Sequence, residues 1–456
     1  MRKLTLLTMI MLLLAACTPQ TTPPPATLPP AATPPPAATP PPAAPPPAAT
    51  APADIPETQL IRSELPRLLA PAVDEALIAQ LVQGNNQFAF DLYQAIHAAE
   101  EENLIYSPYS ISLAFSMVYA GARGQTEAEI AQVLRFLPQD AHHLAFNALD
   151  QRLAALADNG DEDEENGRFQ LNIANAVWGQ IGMPFADAYL AILAQQYGAG
   201  LRASDFVQQP EETREEINEW VAEQTAERIQ DILPPGVITP DTRLVLANAI
   251  YFDAAWQFPF NADATQDGPF TLLDGSQVTV PLMQRSGTQM LHAAGPGYEA
   301  VLLPYVGDTV QMMVILPEDG QFAAVEAALS ADFLNQVRRQ FQLRDVTLTM
   351  PRFEFDTNLG LKDLLSGMGM QVPFSEAADF SGIAADSDLF ISDALHRGTI
   401  TVDEEGTEAA AATVIIVGVT SIVESVAVTL DRPFIFTIMD QQTGTILFLG
   451  RVLNPA

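Results

Sequence analysis

The stretch E-E-G-T-E-A-A-A-A-T-V-I-I-V-G-V-T-S, residues 404–421, reads two ways at once. Glu408 to Ala412 resembles a piece of helix, but five residues cannot hold an isolated helix in water. Val414 to Val417 is β-branched and suits a strand. Strand-like runs flank the stretch, Thr399 to Val402 before it and Val426 to Leu430 after it. A small, apolar segment between two strands is a linker, a buried strand, or a loop able to become a strand.

Working outward, the whole chain has 456 residues, enough for one large domain or up to about three ordinary ones. Its hydrophobic content of 48% is ample for a packed core. With 56 acids against 21 bases the net charge is −35. Nucleic acid and heparin-like polyanions need a clustered basic face, and the sequence has no run of Lys and Arg, so both are excluded as partners. Five histidines lack zinc-binding spacing, and a single cysteine rules out both a disulfide and a multi-thiolate site. G-x-S-x-G, P-loop and G-x-G-x-x-G motifs are missing. No metal or cofactor is therefore expected, and no enzyme is advertised. The acidic run 158–167 lacks the ligand spacing of a calcium loop, and His142-His143 is expected to be a solvated pair.

The N-terminus has its own logic. Met1-Arg2-Lys3 is basic and Leu4 to Leu14 is apolar but too short to cross a bilayer, the layout of a secretory signal. Its ending, Leu14-Ala15-Ala16-Cys17, resembles a bacterial lipoprotein box in which Cys17 carries the lipid; the alternative is an ordinary signal with an incidental cysteine. Residues 18–72 follow as a Pro/Ala/Thr-rich tether, extended like polyproline II through about Pro56, with a reach on the order of 100 Å. The predicted layout is signal 1–17, tether 18–72 and a folded domain 73–456, extracytoplasmic and either lipid-anchored to the cell envelope or secreted.

Within that domain, Phe88, Leu92 and Ile96 predict a helix starting at the polar Gly84 to Gln87. Ser107-Pro108 reads as a cap and first turn, followed by one apolar face of Ile111, Ala114, Phe115, Val118 and Tyr119. Thr126 to Glu129 reads as a capping box, and Glu211 to Ile232 as a helix. Later residues read mainly as strands, ending in a hairpin around Asp440 to Gly444. Helices first and strands later predict α+β. Ser107, Ser110, Asn248 and His396 are polar residues in apolar settings, each needing a partner if buried.

Several motifs together resemble the serpin family: N-L-I-Y-S-P-Y-S-I at 103–111, T-R-L-V-L-A-N-A-I-Y-F at 242–252 with Trp256 beyond it, P-R-F at 351–353, and D-R-P-F-I-F to G-R-V-L-N-P at 431–455. The resemblance runs from about residue 80 to the end. It implies the serpin fold: helices, large mixed or antiparallel sheets, and an exposed reactive loop. It aligns Ser107, Ser110, Asn248 and His396 with a polar shutter beneath the main sheet. It also aligns Glu404, Glu405, Gly406, Thr407, Glu408, Ala409, Ala410, Ala411, Ala412 and Thr413 with the loop hinge.

The resemblance implies inhibition of serine proteases by a suicide trap, in which a protease cleaves the loop and the freed strand inserts into the main sheet. Counting from Gly406 puts the cut between Thr420 and Ser421; counting back from Pro433 allows a shift to about Ile422. A β-branched residue before the cut suits an elastase-like or subtilisin-like target, and no Lys or Arg between Glu404 and Asp431 suits a trypsin-like one. Insertion demands small inward residues, because bulk overpacks and charge is desolvated. If Thr407 points inward, period two turns Ala409, Ala411, Thr413, Ile415 and Val417 inward as well. The expected protein is a monomer. The rival readings are a non-inhibitory serpin serving as a cell-surface binding or scaffold module and, more remotely, a secreted hydrolase.

Overall fold

The computed structural model describes residues 58–98, 102–158, 169–385, 388–407 and 425–456. Cys17, most of the tether, the acidic run 159–168, Glu408 to Thr413, Thr420 and Ser421 lie outside the described residues. The strands are β1 (Gln59–Ile61), β2 (Leu104–Tyr106), β3 (Phe169–Gln180), β4 (Leu201–Ser204), β5 (Leu244–Ala255), β6 (Gln266–Thr271), β7 (Gln277–Gly295) and β8 (Tyr298–Pro304). They continue with β9 (Val310–Pro317), β10 (Gln342–Pro351), β11 (Phe353–Gly360), β12 (Ile391–Val402), β13 (Gly406–Thr407), β14 (Ser425–Thr429), β15 (Phe434–Asp440) and β16 (Ile446–Val452). The helices used below are α1 (Glu75–His97), α2 (Pro108–Tyr119), α3 (Gly124–Leu134) and α4 (Gln139–Asp158). After them come α5 (Asp187–Ile192) and α6 (Pro210–Gln224).

Among the described residues the strands form two sheets, seven-stranded β1-β4-β3-β5-β13-β12-β11 and nine-stranded β14-β10-β7-β8-β9-β15-β16-β2 with β6 on β7. This is the α+β architecture expected. Every residue of β5 is buried, because the strand is covered on both faces. On one face α6 lays Ile217 and Val221 on Trp178, Val245, Ala247 and Leu395 of β3, β5 and β12. On the other, α2 starts beneath the middle of the sheet. Ser107 caps it, its Oγ accepting from the Ser110 N–H at 3.0 Å, and Pro108 fills the first turn.

The structure departs from the sequence reading in five places. Folded chain begins before Val73, since β1 pairs with β4. Helix α1 starts at Glu75, capped by Asp74, and runs through Gly84 to Gln87; Ile78, Leu81 and Val82 extend the apolar stripe upstream. No capping box forms at Thr126, whose hydroxyl and the Glu129 carboxylate instead accept backbone N–H groups of Asp379, Gln371 and Val372. The α6 helix stops at Gln224, and Ala226, Glu227 and Asp231 take positive φ so that Ile229 and Ile232 can still reach the core.

Nor is His142-His143 solvated. Both rings are buried between α2 and α4, His142 against Phe136 at 4.1 Å and bonded to Ser116 at 2.8 Å, His143 bonded to Tyr197 at 2.6 Å.

A buried ion pair staples β16 to the middle of the chain and to α1. Arg451 of β16 donates to Glu326 at 2.7 Å, and the same carboxylate oxygen accepts from Tyr93 of α1 at 2.7 Å. Removing one member leaves a desolvated charge. Arg451→Met should therefore cost about 3–5 kcal/mol in denaturant unfolding, whereas a loss below about 1 kcal/mol would mean the pair is not a staple.

Candidate functional site: a sheet with a strand begun inside it

The seven-stranded sheet has an unusual centre. Strands β5 and β12 run parallel and pair directly from Leu244↔Ile391 to Ile250↔Gly398, so no strand stands between them there. At their far end they part, and β13 enters the gap. It is antiparallel to both neighbours, with Gly406 opposite Ala255, Thr407 opposite Ala254 on one side, and Thr407 opposite Val402 on the other.

Entry is fixed by backbone and side chain together. The Asp403 carboxylate accepts from the N–H groups of Glu405 at 2.9 Å and Gly406 at 3.1 Å, which turns the chain back on itself. Trp256 braces the turn: its indole donates to Asp403 O at 3.0 Å and its N–H to Glu405 O at 2.8 Å. A Cβ at Gly406 would lie 2.3 Å from Ala254 O, so the close approach requires glycine. Glu404 is buried, accepts from Thr265 Oγ1 at 2.5 Å and pairs with Arg352. Burial opposes its ionisation, yet those two donors hold its carboxyl below the usual range.

Thr407 points inward. It is 1% exposed, and its Oγ1 lies 2.8 Å from the hydroxyl of Tyr305. Tyr305 stacks on Trp256 at 4.6 Å and meets the Phe252 edge at 5.0 Å. The pocket for residue 407 is thus small and walled by aromatic rings.

Halfway down the closed seam, the structure brings Ser107, Ser110, Asn248 and His396 into one buried cluster. The Asn248 amide donates to Ser110 O at 2.9 Å and Ser110 Oγ at 2.6 Å, while its carbonyl oxygen bonds His396 Nδ1. The Ser107 N–H donates to His396 Nε2 at 3.0 Å. His396 is satisfied only when neutral, with its proton on Nδ1. Sequence reasoning missed Asn175 of β3, which accepts from Asn248 and donates to Ser110 O at 3.3 Å. It also missed Tyr305 and Thr265 at the upper end. Asn175 stands directly opposite Asn248 across β3 and β5, a register that no pattern within β3 gives.

Burial pushes the His396 imidazole down to about 3, and also lowers His142 and brings His143 to about 4. Below its ordinary value near 6.5 the unfolded chain binds a proton that folded His396 refuses. Its contribution to stability is therefore full above about pH 6.5 and drains away as pH falls toward 3. His396→Gln should flatten the stability-versus-pH slope in that window by about 1 kcal/mol per pH unit, with the other two histidines cancelling in the difference. Parallel curves for the two proteins would contradict this.

Among the described residues there is no group of His, Cys, Asp and Glu that could hold a metal ion, and no helix long and apolar enough to cross a membrane.

Comparison with known proteins gives a consistent picture. Residues 83–455 match the family model Serpin (serine protease inhibitor). An uncharacterised serpin-like protein of Thermococcus kodakarensis is 38% identical over 86% of this chain and 90% of its own. The leukocyte elastase inhibitor of Bos taurus is 35% identical over 82% of this chain and all of its own. Among solved structures, human thyroxine-binding globulin superposes with a TM-score of 0.74 at 30% identity, covering 83% of this chain and all of that one.

Proposed function

Because this chain belongs to the serpin family, we propose that it inhibits serine proteases of elastase-like or subtilisin-like preference by inserting its cleaved loop into the seven-stranded sheet. The observation that carries this reading is β13, a two-residue strand already antiparallel to both walls of a gap that closes below it.

The steps follow from the chain's own geometry. The protease's serine attacks the carbonyl of Thr420, the Thr420–Ser421 amide breaks, and the amine of Ser421 leaves, giving an acyl-enzyme. The loop is then free at that end. Residues after Thr407 can continue β13, making backbone hydrogen bonds to β5 and β12. Carried down in the existing register, Thr413 arrives opposite Asn248 on β5 and His396 on β12. There its hydroxyl can take over the polar partners that those two give each other while the seam is closed. Ala409 and Ala411 would face inward above it, with nothing to overpack. Thr407 to Thr420 spans on the order of 45 Å as a strand, and the acylated protease travels with it.

The leukocyte elastase inhibitor relative supports the elastase-like preference, as does Thr420 itself. A non-inhibitory role is the second reading, and thyroxine-binding globulin is a fold neighbour named for binding a small molecule. Small residues at Thr407, Ala409 and Ala411 favour the first.

Mixed with pancreatic-type elastase, the protein should give a complex that survives a denaturing gel. Plain loop cleavage with full protease activity would overturn inhibition. In Thr407→Arg the guanidinium cannot enter the Tyr305–Trp256–Phe252 pocket, so inhibitor should become substrate, with complex yield falling at least about tenfold, a barrier shift of about 1.4 kcal/mol. We also propose that Cys17 is lipidated, with residues 18–57 as the tether that holds the domain off the envelope, since stable anchoring takes more than one acyl chain. Cys17→Ser should shift the protein from the membrane to the soluble fraction, and unchanged fractionation would refute the anchor.

A further inference from the structure

The segment between the tether and α1 does more than connect them. From Thr58 to Ala70 it is laid across four separate elements. The Thr58 hydroxyl lies 2.6 Å from Ser204 Oγ of β4 and bonds the Glu216 carboxylate of α6. β1 then adds a strand to the edge of the seven-stranded sheet, with Gln59 opposite Ala203, Leu60 opposite Arg202 and Ile61 opposite Leu201. The body is shaped to receive it: a Cβ at Gly200 would lie 2.7 Å from Ile61 O, and one at Gly198 would lie 3.1 Å from Arg67 Cδ.

Farther along, the Leu68 N–H donates to Gln195 O at 2.8 Å, in the π-helical turn that follows α5. The Arg67 guanidinium donates to Asn147 at 3.1 Å and pairs with Asp150, both on α4. Leu68 O accepts from Asn147 at 2.9 Å and Gln151 at 2.9 Å, and the Ala70 N–H donates to Gln151 at 3.0 Å.

If the loop inserts, these elements would not stay fixed to one another. A strand added between β5 and β12 widens the sheet by about 4.8 Å, so β1-β4-β3-β5 must move as a block away from β12 and β11. Helix α6 packs over that seam and cannot keep its contacts with both sides. Helix α4 touches β3 of that block, but Phe146, Leu149 and the Arg152–Glu75 pair also hold it to α1 and so to the rest of the body. The segment therefore adds a further tie between the moving block and an element that is also anchored to α1.

We propose that residues 58–70 are a clamp on sheet opening: they hold β4, α6 and α4 in register and so keep the uncleaved loop from inserting by itself. This inference rests on the insertion reading above.

The test uses the full chain. Ile61→Pro removes a backbone donor from the β1 edge, and Arg67→Ala removes the ion pair with Asp150 and the bond to Asn147. Each is incubated at mildly elevated temperature and sampled for two readouts, elastase complex formation and resistance to heat. Expected is conversion, about tenfold faster than in the unaltered protein, to a form that no longer traps elastase yet resists heat better. Conversion at the unaltered rate would overturn the clamp. So would loss of trapping with lower heat resistance, which is simple unfolding. Loop cleavage of the unaltered protein should by itself raise heat resistance; if it does not, insertion fails, and the clamp fails with it for that separate reason.

Discussion

The direct parallel pairing of β5 with β12 is the constraint on which the rest depends. It pairs Leu244 to Ile250 with Ile391 to Gly398, with one register shift between Ile391 and Asp393 and a buried polar cluster near its middle, and the insertion proposed above would replace it. β13 has begun an alternative at one end, antiparallel to both strands. On the insertion proposed above, residues 408–410 would break no β5–β12 pair, and each residue from Ala411 on would replace one such pair with two. Parallel pairs are slightly weaker per residue than antiparallel ones, so the exchange is downhill once the seam can part.

What keeps it from parting is distributed. At the centre, Asn248 and His396 satisfy each other and the start of α2, so opening must first uncouple a buried, fully bonded network. At the upper end Trp256, Tyr305 and the Asp403 turn hold Gly406 and Thr407 in place. Over the seam lies α6, and along the sheet edge runs the segment from Thr58 to Ala70. On the insertion proposed above, each would act on relative displacement of the two half-sheets. None needs large free energy on its own, since a few kcal/mol in a barrier changes a rate by orders of magnitude.

Neutral histidine is the recurring chemical choice. His396, His142 and His143 all sit where burial opposes protonation. The first is at the seam and the others between α2 and α4, on the helices that support it. Acid therefore works against both layers in the same direction, while Glu404 at the hinge, held ionised by Thr265 and Arg352, loses its role over a lower range.

Much was legible in the order of residues. Local pattern identified the strand-rich later part of the chain and the terminal hairpin, because a strand buried on both faces or on one writes its pattern locally. Gly406, Thr407 and the alanines after them read as an insertable strand for the same local reason, their size. Asn248 and His396 stood out as polar residues in apolar settings. The sequence by itself thus determined which segments can be strands and which residues need partners. It did not determine whom they partner: Asn175 with Asn248, Tyr305 with Thr407, and β1 on β4 are meetings across long loops, set by sheet order. His142-His143 was misread for that reason, since α4 turns both rings inward only when packed on α2. Whether β5 meets β12 or a new strand was decided by the tertiary structure alone, because both pairings suit the same side chains and only the surrounding helices, turn and edge strand choose between them.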